Sequence, residues 1–240
     1  MIINYHLKGT KNVGDEYCAP AFYYNIKERK DIRNIITEKN DFAKLIIFGG
    51  GAIANTAKNY KKHTKVKSVL WGVGNTTRGS FTPPNHGSYS EFILAGIRDF
   101  NIIKSGNIRW VPCSSCMSSL FDNPSEPTTD FVYYGHKKMS PLGNMNNDIM
   151  DLSKVINYLS SGETVVTTTY HGVYWATLLG RKVICKPFGS KFFGLKHKPL
   201  FTDNISINNI KNLKPVSYKD ALEECRNANN RFWEEVKCII

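Results

Sequence analysis

No apolar run in the chain approaches the roughly 18 residues that a helix needs to cross a bilayer. The opening residues, Met1-Ile-Ile-Asn-Tyr-His6, lack the charged and apolar regions of a secretory leader and run directly into a strand-like pattern. Both absences point to a protein that would meet a membrane only from the side. Cysteine is sparse: the six residues at 18, 113, 116, 185, 225 and 238 lack the dense, regular spacing of a secreted disulfide framework, so a reducing cytoplasm is the expected compartment. The pair Cys113 and Cys116 has no second pair at ligand spacing, and no metal is expected. No Gly-Lys-Ser/Thr follows the glycines at 49–51, which excludes a Walker loop, and the third glycine is misplaced for a dinucleotide fingerprint. Internal repeats and low-complexity tracts are also missing.

What is present is positive charge. Across 240 residues, 32 Lys and Arg face 20 Asp and Glu, a net charge of +12 that attracts phosphates, anionic sugars or lipid headgroups. The basic residues are dispersed and carry no nucleic-acid reading motif, which argues against nucleic acid as a partner. The densest basic stretch, Lys58, Lys61, Lys62, Lys65 and Lys67, reads either as a solvated face or as a peripheral contact with a membrane surface.

Short apolar runs recur at 44–48, 67–71, 107–111, 130–134, 163–167 and 181–185, as expected of strands buried on both faces of a parallel sheet. Helix-like segments fall between them at 15–29, 52–62, 89–100, 152–160 and 172–179. This alternation predicts an α/β protein of doubly wound, Rossmann-like construction. Two prolines and little apolar content at 121–130 suggest a linker. The expected division is therefore one lobe over 1–122, a second over 123–216, and a C-terminal helix within 217–240 that packs one face.

Six segments could carry chemistry. In Asn12-Val-Gly-Asp15, at a strand-to-helix turn, Asp15 reads as a helix cap or as a base for a hydroxyl proton. At Phe48-Gly-Gly-Gly-Ala-Ile53, Gly50 and Gly51 would let backbone N–H groups approach a ligand or another chain segment. Arg98, in a segment read as the end of a helix, could clamp a carboxylate or phosphate, or form a surface ion pair. Ser114 and Ser115, between Cys113 and Cys116, are expected to turn their hydroxyls toward a cleft. The stretch Thr167-Thr-Thr-Tyr-His-Gly172 places His171 at a helix start, where it could titrate near neutral pH beside open N–H groups that favour an anion. The loop 186–199 is basic and aromatic, and suits Lys191 to a phosphate and Phe192 or Phe193 to a sugar face.

Taken in this order, Asn-x-Gly-Asp, the triple-glycine turn, Trp71-Gly-Val-Gly-Asn75, Arg98-Asp99 and Tyr170-His-Gly172 resemble the polysaccharide pyruvyl transferase family over residues 3 to about 200. The resemblance implies a glycosyltransferase-B-like fold of two Rossmann-like lobes facing across a cleft. It further implies transfer of a pyruvyl group from phosphoenolpyruvate onto a sugar as a ketal, with no cofactor beyond this donor substrate. The acceptor would be a sugar of a cell-surface polysaccharide or its lipid-linked precursor. By the same resemblance, His171 and Asp15 would be catalytic. Arg98 and Lys191 would bind the substrate, and Thr169, Gly172, Gly50, Gly51, Ser114 and Ser115 are expected from their positions to line its site. Many members carry Arg where this chain has Thr169, so Arg78, Lys186 or Lys191 would have to supply that charge. Two other readings stay open: a glycosyltransferase using a nucleotide sugar, and a non-catalytic saccharide-binding relative.

Overall fold

All six apolar runs form strands, because Val, Ile, Leu and aromatic side chains at consecutive positions can be buried only where both faces of a sheet are covered. The computed structural model describes residues 1–38, 42–102, 106–139, 143 and 145–240. It is an α/β structure with two parallel sheets. The first contains β1 (Ile2–His6), β2 (Glu28–Asp31), β3 (Leu45–Gly49), β4 (Ser68–Val73), β5 (Leu94–Ile97) and β6 (Ile108–Trp110) in the order β2-β1-β3-β4-β5-β6. The second contains β7 (Thr129–Gly135), β8 (Met145–Asn146), β9 (Gly162–Thr167), β10 (Lys182–Cys185) and β11 (Leu200–Phe201) in the order β11-β10-β9-β7-β8. Every residue of β3 and β4 is buried.

Each sheet reverses its winding once. The chain leaves β1 toward β2 but leaves β3 toward β4, and it leaves β7 toward β8 but β9 toward β10. The crevices at the carboxyl ends of β1/β3 and β7/β9 are therefore the topological switch points, where loops diverge and leave room for a ligand.

The helices are α1 (Val13–Glu16), α2 (Ala54–Lys61), α3 (Leu152–Ser160), α4 (Tyr170–Leu178), α5 (Ile207–Ile210) and α6 (Ala221–Lys237). In α3, Asp151 caps the Lys154 amide while Leu152, Val155, Ile156 and Leu159 bury one stripe. All nine residues of α4 are buried, which is why its sequence shows no polar face. The terminal helix α6 does pack one face and serves both sheets. Phe232 and Val236 join Ile47, Val69 and Trp71 on the first sheet, while Cys225 joins the core around α4. Buried Asn229 fixes this return by accepting from Trp71 Nε1 (2.8 Å) and donating to Cys225 O (3.0 Å).

Two expected helices are corrected. Within 15–29, α1 stops at Glu16, Pro20 opens a 3-10 turn over Pro20–Phe22, and the chain then becomes the half-buried edge strand β2. Within 89–100, Leu94–Ile97 is strand β5, held between β4 and β6. Arg98 therefore follows a strand rather than ending a helix.

Among the described residues, no helix is long and apolar enough to cross a membrane.

Candidate active site

The carboxyl ends of the two sheets meet around a narrow cleft. It is lined by Asn12 and Asp15 after β1, Ala52 after β3, Arg98 after β5, His136 after β7 and Asn147 after β8. Thr169, Tyr170 and His171 after β9 and Lys191 after β10 complete it. The loops are tied across the cleft: Val13 N–H donates to Asn147 O (3.1 Å), Gly79 N–H to Phe188 O (3.1 Å) and Phe100 N–H to Gly194 O (2.7 Å). Lys137 Nζ reaches from one sheet's loops to the carbonyls of Thr10 and Lys11 in the other's.

Asp15 does not cap α1. Asn12 does, accepting from Gly14 N (3.2 Å), and its amide donates to Asp15 Oδ2 (2.8 Å), which holds the carboxylate toward the cleft. Burial raises the Asp15 pKa, although Lys191 and Arg98 pull it down.

Arg98 is 3% exposed, its guanidinium lies 3.8 Å from the Tyr170 ring centroid, and its Nε has no hydrogen-bond partner. Among the described residues it pairs with no carboxylate. Neighbouring Asp99 lies instead 2.9 Å from His86 Nε2. Lys191 likewise has no acidic partner and rests against Phe188 (4.7 Å) and Phe192 (5.3 Å). Burial, then Arg98, lowers its pKa to about 8. A buried cation normally comes with a carboxylate; here neither cation is ion-paired, although Asp15 acts on both and Asp99 on Arg98, so an anion would add countercharge.

His171 departs from its expected titration near neutral pH. It is buried against Trp175 and Tyr170, and burial followed by the charges of Arg98 and Lys191 lowers its pKa well below the usual histidine range. The imidazole is therefore neutral in the free protein at neutral pH. Its Nδ1 edge lies over Gly14, where a Cβ would fall 2.0 Å from Nδ1, so only glycine lets α1 and α4 approach this closely.

Other expected site residues sit elsewhere or do other work. Thr169 lines the cleft, but its hydroxyl caps α4 by accepting from Gly172 N (2.8 Å), so that amide is not open to an anion. A Cβ on Gly172 would meet Thr167 Oγ1 at 2.4 Å, and the glycine serves packing. Gly50 takes φ +81° and presses on Cys18, whereas Gly51 lies beside Asp15. Ser114 and Ser115 do not face the cleft: Ser114 Oγ donates to Cys18 O (2.9 Å) and Ser115 Oγ accepts from Trp175 Nε1 (2.9 Å), both fully inside the protein. Phe192 is buried beneath Lys191 and offers no face to a sugar, while Phe193 packs on Phe201.

His136 and Asn147 line the cleft without having been singled out in the sequence. The one signal was the position of His136, immediately after the end of β7. Burial and then Lys191 and Arg78 lower the His136 pKa. Arg78 approaches Lys191 because it forms an antiparallel bridge with Gly189.

The basic stretch at 58–67 lies away from this cleft. Lys58 donates to His86 O (2.7 Å) and Lys61 to Val66 O (2.9 Å), just before β4 begins and hence at the opposite end of the sheet. No group of three His, Cys, Asp or Glu that could hold a metal occurs among the described residues. Comparison of the chain with protein-family models, with curated proteins and with solved structures finds no match.

Proposed function

We propose that the chain is a pyruvyl transferase with a glycosyltransferase-B-like arrangement of its two sheets, moving a pyruvyl group from phosphoenolpyruvate to a saccharide. The observation that carries this reading is the pair of unpartnered cations, Arg98 and Lys191, flanking Asp15 and His171 at both switch points. Phosphoenolpyruvate brings a carboxylate and a phosphate, one for each cation, with Arg78 close enough to Lys191 to add charge where Thr169 supplies none.

The chemistry follows from the charges. Protonating the donor's methylene carbon makes the adjacent carbon cationic, and a sugar hydroxyl adds to it. A second hydroxyl then displaces phosphate and closes the ketal. Of the two hydroxyl protons lost, one is balanced by the new methyl C–H and the other leaves with phosphate. Asp15, whose raised pKa suits proton transfer, accepts from the attacking hydroxyl, and His171 donates to the methylene carbon or the departing phosphate. An anion between Arg98 and Lys191 cancels the charges that help to keep His171 neutral, so donor binding raises its proton affinity.

Phosphoenolpyruvate is expected to raise the melting temperature, and phosphate is expected to be released when a saccharide acceptor is added. His171→Ala and Lys191→Ala should each lower transfer by about 10²-fold or more. Stabilisation by nucleotide sugars instead, saccharide binding without phosphate release, or near-parental rates in both variants would overturn the proposal.

A further inference from the structure

Cys113 is buried and its Sγ lies 3.6 Å from His171 Nε2 and 3.2 Å from Ser115 Oγ. Ser115 Oγ in turn accepts from Trp175 Nε1 at 2.9 Å. An indole nitrogen can only donate, so one end of this chain of contacts has a fixed direction. Ser115 is 0% exposed, and of its two side-chain partners only Cys113 Sγ can accept the hydroxyl proton. If the thiol donated to Ser115 instead, the hydroxyl would be a buried donor with no acceptor, a cost the opposite direction avoids. The direction then continues: Trp175 N–H to Ser115, Ser115 O–H to Cys113, Cys113 S–H to His171 Nε2.

We infer that Cys113 is a positioning residue that fixes the tautomer of His171, leaving the imidazole proton on Nδ1. That nitrogen lies over Gly14, the neighbour of Asp15, on the edge of the ring away from Cys113. A ligand in the cleft thus meets an N–H donor there rather than a lone pair. This suits an anionic oxygen and would repel a cationic one. Tyr174, whose hydroxyl donates to Cys113 O (2.8 Å), holds the cysteine backbone and keeps the thiol in line with the ring. The roles in transfer rest on the function proposed above, whereas the tautomer itself is a property of the free protein.

The test is nitrogen-15 NMR of the imidazole in the free protein at neutral pH, with the His171 signals assigned by their loss in His171→Gln. The parent is expected to show a protonated Nδ1 and an unprotonated Nε2. Cys113→Ser, which keeps a donor, should retain that pattern, and Cys113→Ala should lose it and move population to the Nε2–H form. In the transfer assay, Cys113→Ala should lower kcat about tenfold or more with KM changed only a few-fold, and Cys113→Ser should recover most of the loss. A parent spectrum with the proton on Nε2, or a Cys113→Ala spectrum matching the parent, would overturn the inference. The expected spectra without any phosphoenolpyruvate-dependent transfer would uphold the tautomer and sink the proposed function alone.

Discussion

The two turns that face each other across the cleft are built alike and end differently. At each, a strand gives way to a helix whose first turn is capped by a side chain two or three residues earlier: Asn12 on Gly14 N and Thr169 on Gly172 N. Each places a titratable residue beside the capped glycine, Asp15 in one and His171 in the other. Asp15 remains partly exposed and is held by Asn12, whereas His171 is enclosed by α4's own aromatic residues. Burial nevertheless acts on both in the same chemical sense. It raises the carboxyl pKa and lowers the imidazole pKa, favouring the neutral form of each. The free cleft thus sets two cations, Arg98 and Lys191, beside a carboxyl and an imidazole that burial biases toward their neutral forms. An anion bound there would supply the missing countercharge.

The largest expected effect comes from removing that charge. Arg98→Met keeps a long side chain over Tyr170 but abolishes the guanidinium, and affinity for an anionic ligand should fall by about 100-fold or more. The free protein should become more stable by roughly 1 kcal/mol, because an unpaired buried cation is replaced by an apolar group. Isothermal titration with phosphoenolpyruvate and denaturant melts of the same variant check both halves. If binding and stability fall together, Arg98 is a structural residue.

The second effect is a pair of opposed pH slopes. Lys191 has a folded pKa of about 8, below the usual lysine value, so above pH 8 the unfolded chain binds more protons than the native one. Its contribution to stability therefore rises from about pH 8 toward the usual lysine range, whereas anion affinity falls, by up to about tenfold per pH unit, as the ammonium is lost. His171 adds a slope on the acid side. Its depressed folded pKa makes stability fall as pH drops below the usual histidine value. Melting and titration series in the parent and in Lys191→Met check the alkaline limb, which should flatten in the variant.

Much of this was legible in the sequence, and the failures have physical causes. The six strand runs and α3 were visible because buried parallel strands and an amphipathic helix leave strong patterns. Strand β2, Glu28-Arg-Lys-Asp31, was hidden because an edge strand with charged residues carries no apolar signal. Strand β5, Leu94-Ala-Gly-Ile97, was hidden because Ala and Gly are poor strand formers and its neighbours alone hold it extended. In the cleft, Asp15, His171 and Lys191 could be picked out because each follows a strand and has chemistry to offer, and Arg98 for its guanidinium alone, since the strand before it was read as a helix. The same rule, applied to the loop after β7, would have found His136, whereas Asn147 follows a two-residue strand that carries no sequence signal. Ser114 and Ser115 were misplaced because no spacing rule reveals that Trp175 and Cys18, distant in sequence, take their hydrogen bonds.

The smallest expected effect separates the two caps. Asn12→Ala and Thr169→Ala each remove one side-chain acceptor from a helix N-terminus, a loss of about 1 kcal/mol. Beyond that they should diverge. Asn12 also donates to Asp15, so its loss should loosen the carboxyl and raise its pKa further, since that hydrogen bond favours the ionised form. Thr169 has no such second role toward His171. Its hydroxyl contacts Gly172 N and, at 3.2 Å, Thr167 Oγ1, so Thr169→Ala should cost stability while leaving the pH profile of transfer unchanged. Measured pH–rate profiles of the two variants therefore decide whether the caps are equivalent. A shifted acid limb in Asn12→Ala alone would mean that the first turn tunes its reactive group through its cap. Equal shifts in both would mean that the second turn does so too, and that Thr169 reaches His171 through the helix it caps.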